Sequence, residues 1–201
     1  IAFAGLFIPA VNRLDYSSLH ERACMELFML SPDWRGGLKS GRSRLRPFFY
    51  SAAQAALVRE GAAAGVFTVS PPDADGICSF GLVADAPPAM LSRCGFKLAV
   101  VNHAMPSAGV RVPLSAFDAV LEAHMPLPEL AAPSANAAAD AIAARVAALV
   151  EDGATIQSGV GKLPVSATEA LATKRDLRIH SGLIAPCHGA LMDAGAVRDE
   201  P

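Results

Sequence analysis

The chain has 201 residues, 52% of them apolar and 18% charged, which excludes intrinsic disorder and allows one large domain or one and a half ordinary ones. Its 17 basic and 19 acidic side chains leave a net charge of −2, so the sequence carries neither a nucleic-acid footprint nor a polybasic membrane signal. It shows no internal repeat and no low-complexity tract beyond alanine enrichment.

Ile1–Val11 is an apolar run without preceding positive residues and too short to span a bilayer. Glu26–Leu30 predicts a buried strand stopped by Ser31-Pro32-Asp33. The basic cluster Arg35, Lys39, Arg42, Arg44 and Arg46 is read as a solvated loop-and-helix face rather than an anion-binding patch. Arg46–Tyr50 is a second strand candidate, and Ala52–Arg59 is helical, ending at Gly61. Gly65–Val69 predicts a third strand, halted by Ser70-Pro71-Pro72-Asp73, and Pro88–Arg93 fits a helix. Phe96–Val101 is a fourth strand, its apolar character suited to a parallel strand buried on both faces. Strands alternating with helices predict an α/β fold with open, mostly parallel sheets and flanking helices.

Met125–Ser134 carries three prolines and reads as a linker. From Asn136 to Glu151 the spacing is helical, with Ile142, Val146, Leu149 and Val150 on one face and Gly153 beyond the end. Ala154–Gln157 returns to strand, and Leu177–Ile179 forms a second, parallel strand. Ser166-Ala167-Thr168-Glu169 has the spacing of a capping box opening the intervening helix. Three segments follow: a domain over 1–125, a linker over 126–135, and the start of a second domain over 136–201.

Cys24, Cys78, Cys94 and Cys187 form no CxxC pair, so reduced thiols in a cytoplasmic protein are the expectation. The five histidines show no zinc spacing, and no metal site is expected. Between the strand at 154–157 and the next helix, Gly159-Val160-Gly161 is a turn where a ligand can approach bare backbone N–H groups. Ser70 opens a turn at a strand's C-terminal end, where α/β sheets place ligands; a Pro-Asp-Gly loop without a ligand is the competing account. Asn102 also follows a strand, as a crevice-facing amide or as a turn former. Trp34 and Phe80 are expected to pack.

Several blocks occur in a familiar order: Val11–Tyr16, Ser31–Arg35, Val69–Gly76 with Ser79-Phe80-Gly81, Asn102 with Met105-Pro106, the glycine turn, and His180-Ser181. Together they resemble the acetyl-CoA hydrolase/transferase family, which includes the 4-hydroxybutyrate and acetate CoA-transferases, over nearly the whole chain. The resemblance implies two similar open α/β domains, of which this chain holds the first, lacking its opening strand, and the start of the second. It implies acyl-CoA and a small carboxylate as partners, coenzyme A as substrate with no permanently bound cofactor, no nucleic acid or membrane, and a homo-oligomer. The strand-end residues Gly159, Val160, Gly161, Ser70 and Asn102 are the candidates to bind CoA or its acyl ester. In the family a glutamate follows the His-Ser/Thr pair as nucleophile, attacking the thioester to form an anhydride that returning CoA thiolate converts to an enzyme thioester. Gly182 occupies that place here. A transferase, a hydrolase and a catalytically silent CoA-binding homologue all remain open. Glu169 is expected to be a helix cap, and the adjacent Cys187 and His188 to have ordinary core or surface roles. An unrelated dinucleotide-binding domain lacks support: Pro164 interrupts G-x-G-x-x-G, and no acidic residue ends the second strand.

Overall fold

The computed structural model describes residues 1–8, 11–83, 85–129 and 137–198. The chain divides into two compact units, Ile1–Leu130 and Ala131–Pro201.

The first unit opens with β1 (Ala2–Ala4) and β2 (Cys24–Leu27), then α1 (Arg35–Lys39), β3 (Ser43–Leu45) and α2 (Tyr50–Glu60). β1, β2 and β3 form a parallel sheet in that order. Met25, Leu27 and Trp34 are buried at its centre, packed by Phe3, Phe7, Tyr16, Leu38 and Leu45. The strand expected over 46–50 is not one: β3 ends at Leu45, and Tyr50 already begins α2. Pro47 has no N–H for a ladder, while Phe48 and Phe49 are exposed and give no apolar face to bury. α2 ends at Gly61, whose φ of 67° relieves the last carbonyls as a C-cap.

β4 (Ala62–Val69), β5 (Ile77–Ser79), α3 (Ala86–Leu91), β6 (Cys94–Asn102), β7 (Arg111–Pro113) and β8 (Ala119–Ala123) complete this unit. β4, β6 and β8 form a parallel sheet with β6 central, and β5 pairs antiparallel with β7. The last four residues of β6, Ala99 to Asn102, are all buried, as a strand covered on both faces requires. Phe67, Val69, Phe80, Val101, Val112 and Phe117 form the core beneath it. Trp34 and Phe80 thus pack as expected.

The basic cluster is partly neutralised at home. Arg46 bridges Glu26 at 2.9 Å and Glu60 at 2.6 Å, Arg44 reaches Glu26 at 2.6 Å, and the Arg46 guanidinium stacks over Phe28 and Phe48.

The second unit contains α4 (Ala137–Leu149), β9 (Thr155–Ile156), α5 (Lys162–Glu169), β10 (Arg178–Ile179) and α6 (Pro186–Asp193). The helix and both strands fall where periodicity predicts them, except that Asn136 and linker residues 130–135 lie outside the described residues. β9 and β10 are parallel, and a further parallel bridge joins Leu177 to Val197. This strand–helix–strand–helix–strand order puts Leu171, Leu177, Leu191 and Ala196 in one core; each fully buried leucine contributes about 1.5–3 kcal/mol. The capping box at 166–169 is not present. α5 starts at Lys162, so Ser166 lies inside the helix, where its carbonyl accepts from Ala170 N–H, and Glu169 is the last residue rather than a cap. Pro164 is tolerated in the first turn because N–H groups there have no intrahelical partner.

Among the described residues no helix is long and apolar enough to cross a membrane.

Candidate functional site

The glycine turn leaves β9 at its C-terminal end and runs into α5 at Gly161, whose φ of 128° only glycine adopts readily. Among the described residues the backbone N–H groups of Gly159, Val160 and Gly161 donate to no protein acceptor. All three residues are exposed, and a Cβ built on either glycine meets nothing closer than Pro164 at 3.9 Å. Unfilled backbone donors at the positive end of a helix are a place for an anion or a developing oxyanion.

The segment after β10 lies alongside this turn. His180 N–H donates to Ile156 O at 3.0 Å, and Ser181 Oγ donates to Ser158 O at 3.2 Å. Those two bonds carry His180-Ser181-Gly182 along the Ile156–Ser158 strand end. Gly182 is exposed, has no neighbour within 4 Å of a built Cβ, and is not among the glycines in the left-handed region. The position therefore admits any side chain, and the residue there is not glycine for backbone reasons.

His188 is 1% exposed and joins the same strand end, with Nε2 3.0 Å from Ser158 Oγ and Nδ1 accepting from Ala185 N–H at 3.0 Å. Both ring nitrogens of a buried imidazole are thereby satisfied. Cys187 is buried beside it with Sγ 3.7 Å from Nδ1. The sequence gives no sign of the Ser158–His188 pair, because the residues lie thirty positions apart and belong to no periodic pattern. A cavity of about 580 Å³ opens over β10, bordered by Thr155, Arg178, His180, His188 and Arg198.

Ser70 and Asn102 belong to the first unit, and their polar atoms are committed to it. Ser70 Oγ accepts from Ser79 N–H at 2.9 Å and donates to Pro71 O at 3.0 Å. Asn102 Nδ2 donates to Met125 O at 2.9 Å, while Oδ1 accepts from Met125 N–H at 3.0 Å and Ala104 N–H at 3.2 Å. The structure thus brings Gly159, Val160, Gly161 and Gly182 together in one unit and gives Ser70 and Asn102 fastening positions in the other.

No family model matches the chain. The 4-hydroxybutyrate coenzyme A transferase of Clostridium kluyveri is 32% identical over 170 residues, 83% of this chain and 40% of that protein. The succinyl-CoA:acetate/propanoyl-CoA:succinate CoA transferase of Fasciola hepatica is 27% identical over 168 residues, 81% of this chain and 35% of that protein. The chain belongs to the CoA-transferase family. Among solved structures, RipA from Yersinia pestis superposes with a TM-score of 0.80 at 28% identity, covering 87% of this chain and 43% of its own. Parallel open sheets with flanking helices are therefore a CoA-transferase fold. The chain spans less than half the length of these relatives.

Proposed function

We propose that this chain carries the acyl-thioester site of an acyl-CoA enzyme of the acetate/4-hydroxybutyrate type, a CoA-transferase or an acyl-CoA hydrolase. The observation that supports this reading is the row of N–H groups at Gly159–Gly161, without a protein partner among the described residues and fastened beside His180–Gly182. A thioester carbonyl seated on that row would place its carbon near the segment from which the family's glutamate attacks. Each backbone donor aimed at a developing oxyanion is worth about 10²–10³ in rate. Coenzyme A enters and leaves as substrate, a small carboxylate is the acceptor in the transfer mode, and the complete protein is a cytoplasmic homo-oligomer.

The family's covalent route cannot start at position 182, because Gly182 has no side chain. Two courses remain. A carboxylate from elsewhere in the full-length protein takes the acyl group, giving transfer; or water attacks the seated thioester directly, giving hydrolysis. A second reading, a catalytically silent CoA-binding homologue, is favoured by the same glycine.

Incubating the full-length protein with acetyl-CoA, with and without 4-hydroxybutyrate, separates these. Free CoA thiol in both mixtures identifies a hydrolase, and 4-hydroxybutyryl-CoA formed only in the second identifies a transferase. Calorimetric binding of acetyl-CoA without turnover identifies the silent homologue. The absence of both binding and turnover would contradict the acyl-CoA reading.

A further inference from the structure

The Ser158–His188 pair lies outside everything the glycine turn and Gly182 account for, and its hydrogen-bond polarity can be worked out. His188 Nδ1 faces the Ala185 N–H at 3.0 Å, with Ala185 O farther off at 3.3 Å and Cys187 Sγ at 3.7 Å. A proton on Nδ1 would confront that N–H directly, so Nδ1 is the acceptor and Nε2 holds the ring's proton. Nε2–H then donates to Ser158 Oγ across 3.0 Å. With an incoming donor fixed on its oxygen, the serine hydroxyl keeps its own proton to donate. Among the described residues it has no protein acceptor. Ser158 is half-buried and directly precedes Gly159, while His188 is 1% exposed and borders the cavity over β10.

We propose that Ser158 is a substrate-contacting residue, its hydroxyl donating to the thioester carbonyl oxygen alongside the glycine-turn N–H groups, and that His188 is the positioning residue that orients it. The assignment rests on the acyl-CoA reading above and adds a side-chain donor to its site. No bond to Ser158 forms and no proton leaves it: the hydroxyl hydrogen bond tightens as the carbonyl oxygen gains charge and relaxes as thiolate departs. The alternative chemistry for a serine–histidine pair, a nucleophilic hydroxyl with histidine as base, requires a free lone pair on Nε2, which this tautomer does not offer.

The test uses the full-length protein with acetyl-CoA, with circular dichroism to confirm folding. Ser158→Ala lowers kcat by about 10²-fold with little change in KM, the size of one lost oxyanion donor. His188→Leu loses a similar factor. His188→Gln, whose carboxamide nitrogen can take the place of Nε2 as donor, recovers most of that loss; a histidine acting as base would leave Gln as poor as Leu. Ser158→Cys, a weak donor but a strong nucleophile, stays slow and traps no acyl group. Nitrogen-15 chemical shifts of the His188 ring report the Nε2–H form directly and do not depend on turnover. An acetylated peptide 155–161 in wild type, a fast Ser158→Cys variant, or an Nδ1–H ring overturns the proposal. Ser158→Ala equal to an active wild type overturns the placement of Ser158 alone; wild type that neither binds nor processes acetyl-CoA overturns the acyl-CoA reading on which it rests.

Discussion

β6 ends at Asn102 and β9 runs on into Gln157 and Ser158, so both strands deliver polar residues to the C-terminal edge of a parallel sheet, but the two ends spend those residues differently. At the end of β6, Asn102 uses its whole amide to fasten Met125 and Ala104, and after β4 the Ser70 hydroxyl ties down Ser79. After β9 the chain makes an exposed glycine turn whose N–H groups have no protein partner among the described residues, backed by a buried histidine that holds Ser158. The first edge satisfies itself, as buried polar groups must. The second leaves donors unfilled among the described residues, which costs little in water and is the arrangement that the proposed acyl site uses. Polar residues at strand ends are therefore not equivalent candidates: what matters is whether the protein has already used them.

The largest expected effect tests the self-satisfied edge. Asn102→Ala leaves Met125 N–H, Met125 O and Ala104 N–H without their partner, and should lower unfolding stability by about 3 kcal/mol in urea titration. If Asn102 contacts ligand instead, the same change would weaken acetyl-CoA binding while barely moving stability. The complementary variant is Gly159→Val. Its Cβ meets only Pro164 at 3.9 Å and its φ is not left-handed, so the fold should hold within about 1 kcal/mol. Calorimetry should show acetyl-CoA affinity falling roughly 30-fold, about 2 kcal/mol, as the side chain blocks approach to the turn. Unchanged affinity would remove the contrast between the two edges.

A smaller effect is expected at Ser70→Ala, about 1–2 kcal/mol of stability with no change in ligand affinity, since among the described residues the lost hydroxyl serves Ser79 N–H and Pro71 O. The smallest is an acid effect at Asp73, in the loop after Ser70. Backbone N–H groups of Ile77 and Asp75, together with Arg111, hold its carboxyl below the ordinary value of 3.8. A carboxyl with a lowered folded-state value stabilises the fold above its unfolded value and loses that contribution as pH falls through the folded one. Asp73→Asn should therefore be less stable than wild type near neutrality, with the gap closing below about pH 3.8. A gap that widens on acidification would contradict the assignment.

Much of this arrangement is legible in the sequence because it is local. The apolar run at Phe96–Val101, the helical spacing before Glu151 and the glycines at 159 and 161 each announce their element through neighbouring residues. Two features mislead for equally local reasons. Phe48, Phe49 and Tyr50 look like a strand until their exposure is known, and Ser166 with Glu169 matches a cap although Gly161 and Lys162 have already started the helix. The Ser158–His188 contact and the open surroundings of Gly182 depend on how β9, β10 and α6 come together, and no spacing in the chain encodes that.

The proposed function makes the segment beside the glycine turn an acyl site from which the family's nucleophile is missing. Gly182→Glu in the full-length protein tests it most directly, since the position has room and no left-handed backbone to strain a side chain. Incubation with acetyl-CoA followed by mass spectrometry of peptide 177–188 should show a CoA thioester on Glu at 182 in the variant, removed by hydroxylamine, together with faster CoA transfer to a carboxylate. The same peptide from wild type should remain unmodified. A wild-type adduct within 177–188, or a folded Gly182→Glu variant that forms none and gains no transfer, would contradict the account.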